Sequence, residues 1–198
     1  ENLYDPYLMH DMKKGTDRIR TAIVEGQKIT VYGDYDADGL TSTSIMYEAL
    51  TQLGAECDYY VPNRFDDGYG PNKDVYKRLI DNGTQLIVTV DNGVAGHEAI
   101  EFAKEQGVDV VITDHHELPQ ELPDAYAIIH PKIPNDDGDY PFEGLSGAGV
   151  AFKVATALLE EIPQEALDLC AIGTVADLVP LVDENRVLVK YGLEALRS

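Results

Sequence analysis

A chain of 198 residues with 44% apolar and 26% charged side chains can fill one well-buried globular domain and does not have a disordered composition. Its 36 acidic residues outweigh 15 basic ones, and the net charge of −21 repels nucleic acid unless cations or a further region compensate. Cys57 and Cys170 suggest neither a disulfide framework nor a metal knuckle, and no apolar run nears the roughly 18 residues of a membrane span.

No signal peptide opens the chain, so a cytoplasmic protein without membrane contact is expected. The chain begins at Glu1 rather than methionine and ends inside the helical pattern YGLEALRS, which reads as a piece excised from something longer.

Residues 8–25, LMHDMKKGTDRIRTAIVE, carry apolar side chains at helical spacing and predict an amphipathic entry helix. Strands and helices then alternate. KITVYGD (28–34) predicts a strand, GLTSTSIMYEALTQLG (39–54) a helix closed by Gly54, and ECDYYVP (56–62) a second strand. After the loop NRFDDGYGPN (63–72) come NKDVYKRLIDNG as helix, TQLIVTVD as strand, GHEAIEFAKEQG as helix and VDVVITD as strand. A Pro-rich connection, ELPQELPD, leads to AYAIIHP (125–131) as a further strand. From Gly147 onward the pattern is helical, interrupted around Ile162 and Pro163 and again near Pro180. Val-, Ile- and Leu-rich strands in β-α alternation predict an α/β fold: a doubly wound, mostly parallel five-stranded sheet flanked by helices, with a helical C-terminal part. The expected division is an α/β core at about 28–131 and a helical part at about 146–198, separated by the acidic loop PNDDGDYP (134–141).

Three of the predicted strands end in acids. KITVYGD delivers Asp34, Asp36 and Asp38, QLIVTVDNG delivers Asp91, and VDVVITDHH delivers Asp114, His115 and His116. In open parallel sheets, functional groups gather outside the carboxyl ends of the strands, so these side chains are expected on one edge. The first cluster also matches half of a calcium-binding helix-loop-helix pattern, but Ile45 stands where the twelfth-position glutamate is required, and a strand precedes it. So many carboxylates, with one or two imidazoles, suit a pair of divalent cations of the kind that activates water and clamps a phosphoryl group. Mixed carboxylate and imidazole ligation favours Mn2+, with Mg2+, Co2+ and zinc as alternatives. SGAGVAF (146–152) fails the dinucleotide fingerprint because Phe152 occupies its third glycine position. Ser146, Gly147, Ala148 and Gly149 nonetheless read either as a phosphate cradle at a helix start or as a packing turn. His10, His97 and His130 lie outside these motifs and read as packed or solvated.

GDYDADG, VDNG and TDHH resemble the first three motifs of the DHH phosphoesterase superfamily. LYDPYLMHDM (3–12), VPNRFDDGYG (61–70), LSGAGVAFKVA (145–155) and AIGTVADLVPL (171–181) further resemble its RecJ-like branch of single-strand-specific exonucleases. The resemblance implies that Asp36 and Asp38 each serve one cation, that Asp91 bridges both, and that His115 and Asp177 complete the second. Relatives with smaller substrates carry a histidine where this chain has Tyr32, which makes Asp34 the substitute ligand or a supporting acid. His116 would meet the scissile phosphate, Asp114 would orient the imidazoles, and Arg64 would bind a substrate phosphate. The implied function is metal-dependent 5′-to-3′ hydrolysis of single-stranded DNA in repair and recombination, with single-strand-binding protein and other repair proteins as partners. DHH-associated and OB-fold domains would then lie outside this piece. Hydrolysis of short oligonucleotides, cyclic dinucleotides or nucleotide monophosphates is the alternative reaction, and a non-catalytic replication scaffold the alternative class.

Overall fold

The computed structural model describes residues 3–63 and 68–197. Five strands, β1 (Ile29–Tyr32), β2 (Cys57–Tyr60), β3 (Leu86–Val90), β4 (Asp109–Thr113) and β5 (Ala127–Ile129), form one sheet in the order β2-β1-β3-β4-β5. Every pairing is parallel. The central runs ITVY and LIVTV are buried at every position, as strands covered on both faces must be.

Alternate residues of each strand point to opposite faces, and each face has its own core. On one, Ile29, Val31, Leu86, Val88 and Val111 pack against α1 (Met12–Val24), α2 (Ala37–Gln52) and α5 (Gly147–Leu159). On the other, Ile87, Val110 and Ile112 meet Val75 and Tyr76 of α3 (Lys73–Asp81) and Ile100 of α4 (His97–Glu105). The helical end of the chain is therefore built onto the sheet: α5 belongs to the first core, α6 (Leu167–Ala176) packs against α2 and α5, and α7 (Asp183–Arg197) packs against α6. No helix among the described residues is long and apolar enough to cross a membrane.

Two helix starts differ from the sequence expectation. The entry helix starts at Met12, because Pro6–Leu8 forms a separate 3-10 turn and Asp11 takes a left-handed φ of 58°. More consequentially, α2 starts at Ala37 rather than Gly39, since the Asp36 side chain accepts the Gly39 N–H and caps the helix. Asp38 thereby falls in the first helical turn.

An ion pair holds the two ends of the chain together. Lys153 of α5 and Glu184 of α7 are both buried and lie 2.5 Å apart. Lys153 Nζ also donates to the Tyr4 carbonyl at 2.6 Å, the Tyr4 N–H donates to Glu184 at 2.8 Å, and the Tyr140 hydroxyl donates to the other Glu184 oxygen. Removing one partner of such a pair strands the other charge away from water. Lys153→Met is therefore expected to lower the unfolding free energy by about 3–5 kcal/mol in urea titrations, and Lys153→Met with Glu184→Gln to recover at least half of the loss.

Candidate metal centre and cleft

The strand order reverses between β1 and β3, and the acids collect outside the carboxyl ends of those two strands and of β4. Asp91 follows β3 directly and holds φ at 62°, a left-handed conformation that costs a residue with a Cβ about 1 kcal/mol and turns its carboxylate off the strand axis. Asp114, His115 and His116 follow β4, and Asp177 caps the C-terminus of α6.

Asp38 reaches across to the first turn of α5. Its two oxygens accept the N–H groups of Gly147 and Ala148, each at 2.8 Å, so a helix N-terminus partly balances its charge. His115 Nε2 sits 3.0 Å from Asp91 Oδ1, 3.5 Å from Asp177 Oδ2 and 3.7 Å from Asp38 Oδ2. Two groups of metal-binding type share His115: Asp91 with Asp114, His115 and His116, and Asp38 with His115 and Asp177. The decisive atoms are His115 Nε2 and Asp91 Oδ1. Both are buried, and neither makes a hydrogen bond. Buried polar atoms left without partners are costly, and an imidazole nitrogen facing three carboxylates is what a divalent cation satisfies.

The acid–base properties agree. Burial first, then the charge of Asp91, pushes Asp38 up to about 8, and burial pushes Asp91 up to about 9. Burial likewise raises Asp34 to about 6, raises Asp177 and lowers His115. Asp114 goes the other way. Burial would raise it, but the His116 ring and the N–H groups of Val94 and His115 outweigh that and hold its carboxyl below the usual range. The same contact, His116 Nδ1 donating to Asp114 Oδ1 at 2.6 Å, raises His116 to about 9 in the metal-free chain and so favours its charged form.

The predicted site residues separate into groups. Asp38, Asp91, Asp114, His115, His116 and Asp177 come together. Asp36 stays exposed as the cap of α2, and Asp34, buried, accepts the Gly70 N–H at 3.3 Å; both line an adjoining cleft of about 420 Å³ rather than the two groups above. Asp114 orients the His116 ring but touches His115 only through its backbone N–H, at 2.8 Å. Tyr32 points into the α3/α4 core, where it stacks on Tyr60 and donates to the Gly70 carbonyl at 3.2 Å. Arg64 lies outside the described residues.

The groups of the candidate phosphate cradle are engaged within the chain itself. Ser146, Gly147, Ala148 and Gly149 are buried, the Gly147 and Ala148 amides are taken by Asp38, and Ser146 Oγ accepts the Gly149 N–H at 3.0 Å. The anion at this helix start is the protein's own carboxylate. Gly147 is a glycine for closeness: a Cβ there would lie 2.4 Å from Asp91 Oδ1.

Sequence reasoning missed two features of the cleft. Asn92 is buried with Nδ2 donating to the Tyr32 and Val90 carbonyls at 3.2 and 3.0 Å, which ties the ends of β1 and β3 together. Its position directly after Asp91 was the available signal. Tyr69, which lines the cleft, stacks on Tyr35 with ring centroids 4.3 Å apart, and nothing in the spacing of the two tyrosines announced that contact.

A doubly wound sheet with clustered carboxylates and a histidine pair at its switch point defines the class. Residues 28–174 match the model of the DHH family, N-terminal domain, and the chain belongs to the DHH family. Over 196 residues it is 55% identical to the single-stranded-DNA-specific exonuclease RecJ of Bacillus subtilis (strain 168), which covers 99% of this chain and 25% of that protein. A crystal structure of exonuclease RecJ bound to manganese matches with a TM-score of 0.87 and 37% identity, covering 94% of this chain and 48% of that one. RecJ from Thermus thermophilus in complex with Mn2+ matches with a TM-score of 0.79 and 34% identity, over 94% of this chain and 27% of that one. The chain thus spans a quarter of the curated relative's length.

Without metal, the raised acids make stability fall with pH. An acid whose folded pKa lies above its unfolded value of 3.8 favours the folded state most fully below 3.8 and loses that contribution as pH rises through about 8 for Asp38 and about 9 for Asp91. His116, raised from 6.5 to about 9, adds to the same trend. Chelator-treated protein is expected to show a melting temperature that declines steadily from about pH 6 to about pH 9, and Mn2+ to raise it more at about pH 8 than at about pH 6, because binding displaces protons. A flat metal-free profile would show that these carboxylates are solvated.

Proposed function

We propose that this chain is the catalytic DHH domain of a RecJ-like exonuclease, residues 1–198 with an α/β core at about 28–131 and a helical part at about 146–198. It hydrolyses phosphodiester bonds of single-stranded DNA from the 5′ end, in the cytoplasm, in repair and recombination. The observation that carries the reading is the pair of orphaned buried atoms, His115 Nε2 and Asp91 Oδ1, among carboxylates beside an open cleft. The names of the relatives support the substrate.

In this reading Asp91 would be the ligand shared by two Mn2+ ions, with Mg2+ or Co2+ able to replace them. His115, Asp38 and Asp177 would hold one ion, and Asp36, with Asp34 as a substitute or supporting acid, would serve the other. Bound cations of this kind supply a nucleophile at neutral pH and charge stabilisation at the phosphoryl group. The chain's own contribution is positional and electrostatic. His116 borders the cleft, and its Nε2, opposite the nitrogen held by Asp114, would donate a hydrogen bond to a phosphoryl oxygen as charge builds there.

Asp91→Ala is expected to remove more than nine-tenths of Mn2+-dependent hydrolysis of a small activated phosphodiester, while the metal-free protein melts at or above the wild-type temperature because like charges repel less. Turnover above roughly a tenth of wild type would exclude the bridging role.

The net charge of −21 sets a second expectation. Tracking along a strand needs a cationic channel, which this reading assigns to the longer relatives' additional length, together with contacts to single-strand-binding protein and other repair partners. The 198-residue chain alone is expected to bind single-stranded DNA feebly at physiological salt, and a version extended to the length of the relatives to bind tightly with a steep salt dependence. Fluorescence anisotropy across a salt series checks this, and tight binding by the short chain would overturn the division of labour.

A further inference from the structure

His116 is tied to the protein at three points besides its covalent neighbours. Its ring Nδ1 and its backbone N–H both donate to Asp114 Oδ1, at 2.6 and 3.3 Å, and its carbonyl lies 2.8 Å from Nε2 of His130. His130 immediately follows β5 and is completely buried. Its protonation follows from its partners alone. A carbonyl only accepts, so Nε2 carries the proton; the Lys132 N–H, 3.1 Å from Nδ1, only donates, so Nδ1 carries the lone pair. His130 is thus a neutral ring with one nitrogen anchored on its own loop and the other holding the peptide that carries His116. That loop is itself fixed, since His130 pairs with His10 in an isolated antiparallel bridge and the Asp114 N–H donates to the Ile129 carbonyl at 3.2 Å.

We infer that His130 is a positioning residue for the phosphodiester reaction: through its Nε2–H bond to the His116 carbonyl, it fixes where the His116 ring stands in the cleft. This rests on the function proposed above. Asp114 alone fixes the ring relative to a side chain that starts two residues earlier on the same loop. The His130 bond is what ties that loop's far end to the sheet. Without it, the peptide after His116 can rotate and carry the ring with it, and an error of about 1 Å in a group that must meet a developing charge costs on the order of a hundredfold in rate.

Two variants separate the hydrogen bond from the packing. His130→Leu keeps the buried volume and loses the donor. His130→Gln keeps an N–H at the reach of Nε2. With Mn2+ and bis(p-nitrophenyl) phosphate, His130→Leu is expected to lose at least about tenfold in kcat with KM within about threefold, and His130→Gln to stay within about threefold of wild type in both. Proton NMR of the metal-free proteins gives a reading independent of turnover. The short charge-assisted His116–Asp114 bond should give a low-field proton in wild type and His130→Gln that shifts or vanishes in His130→Leu. If wild type does not hydrolyse the ester, the proposed function falls and the low-field proton alone decides the role of His130. The inference is overturned if His130→Leu keeps its kcat and its low-field proton, if His130→Gln loses as much as His130→Leu, or if His130→Leu fails to fold, which would make His130 a stability residue.

Discussion

The contact on which the rest of the site depends is the one between the Asp38 carboxylate and the first two amides of α5, at 2.8 Å each. A carboxylate in the first turn of one helix is stabilised by the N-terminus of another, so the contact satisfies two donors that would otherwise be stranded and partly balances a buried charge. It also joins distant parts of the chain. With α5 fixed against α2, Gly173 of α6 comes so close that a Cβ there would lie 2.6 Å from the Ala148 side chain and 3.0 Å from Asp38. That closeness brings Asp177, at the end of α6, within 3.5 Å of His115.

Around this contact the strand ends are held to a narrow geometry. The Asp91 N–H and the Thr89 carbonyl bond to Thr113 across the β3–β4 boundary, and the Thr89 hydroxyl donates to the Asn92 carbonyl at 2.7 Å. These bonds hold Asp91 in a backbone conformation it would not choose, which is where functional sites store strain. The result is a rigid frame with a soft electrostatic centre: acids held close by backbone hydrogen bonds, with two atoms left unsatisfied. A cation completes such a centre where the protein does not.

The two histidines of the DHH motif show how one dipeptide can carry opposite chemistries. His115 is buried, and burial disfavours its charged form, leaving a lone pair for ligation. His116 is half exposed and hydrogen-bonded to Asp114, which favours the charged form. The difference is set by the Asp114 carboxylate, which takes one ring and leaves the other, and by the cleft that opens beside only one of them.

Much of this was readable before folding was considered. Strand runs with no polar break, acids at the ends of three of them and glycines at the closures follow from periodicity and local geometry, because the side-chain period of a strand and the capping needs of a helix are short-range properties. DHH membership was readable for the same reason, since its motifs are contiguous. Which acids meet was not. Asp34, Asp36 and Asp38 look alike in sequence, yet one accepts a loop amide, one caps its own helix and one reaches α5, because the start of α2 at Ala37 leaves Asp34 before the helix, Asp36 at its cap and Asp38 in its first turn. The glycine-rich turn at 146–149 carries every local mark of an anion site, and only the packing of α5 against α2 decides that the anion is Asp38. His130 sits 14 residues from His116 and belongs to no motif; the parallel pairing of β5 with β4 places it against the His116 carbonyl. Local patterning determined the sheet and the stock of acids and imidazoles, while tertiary packing decided their partners, because hydrogen bonds and charges select by distance in space.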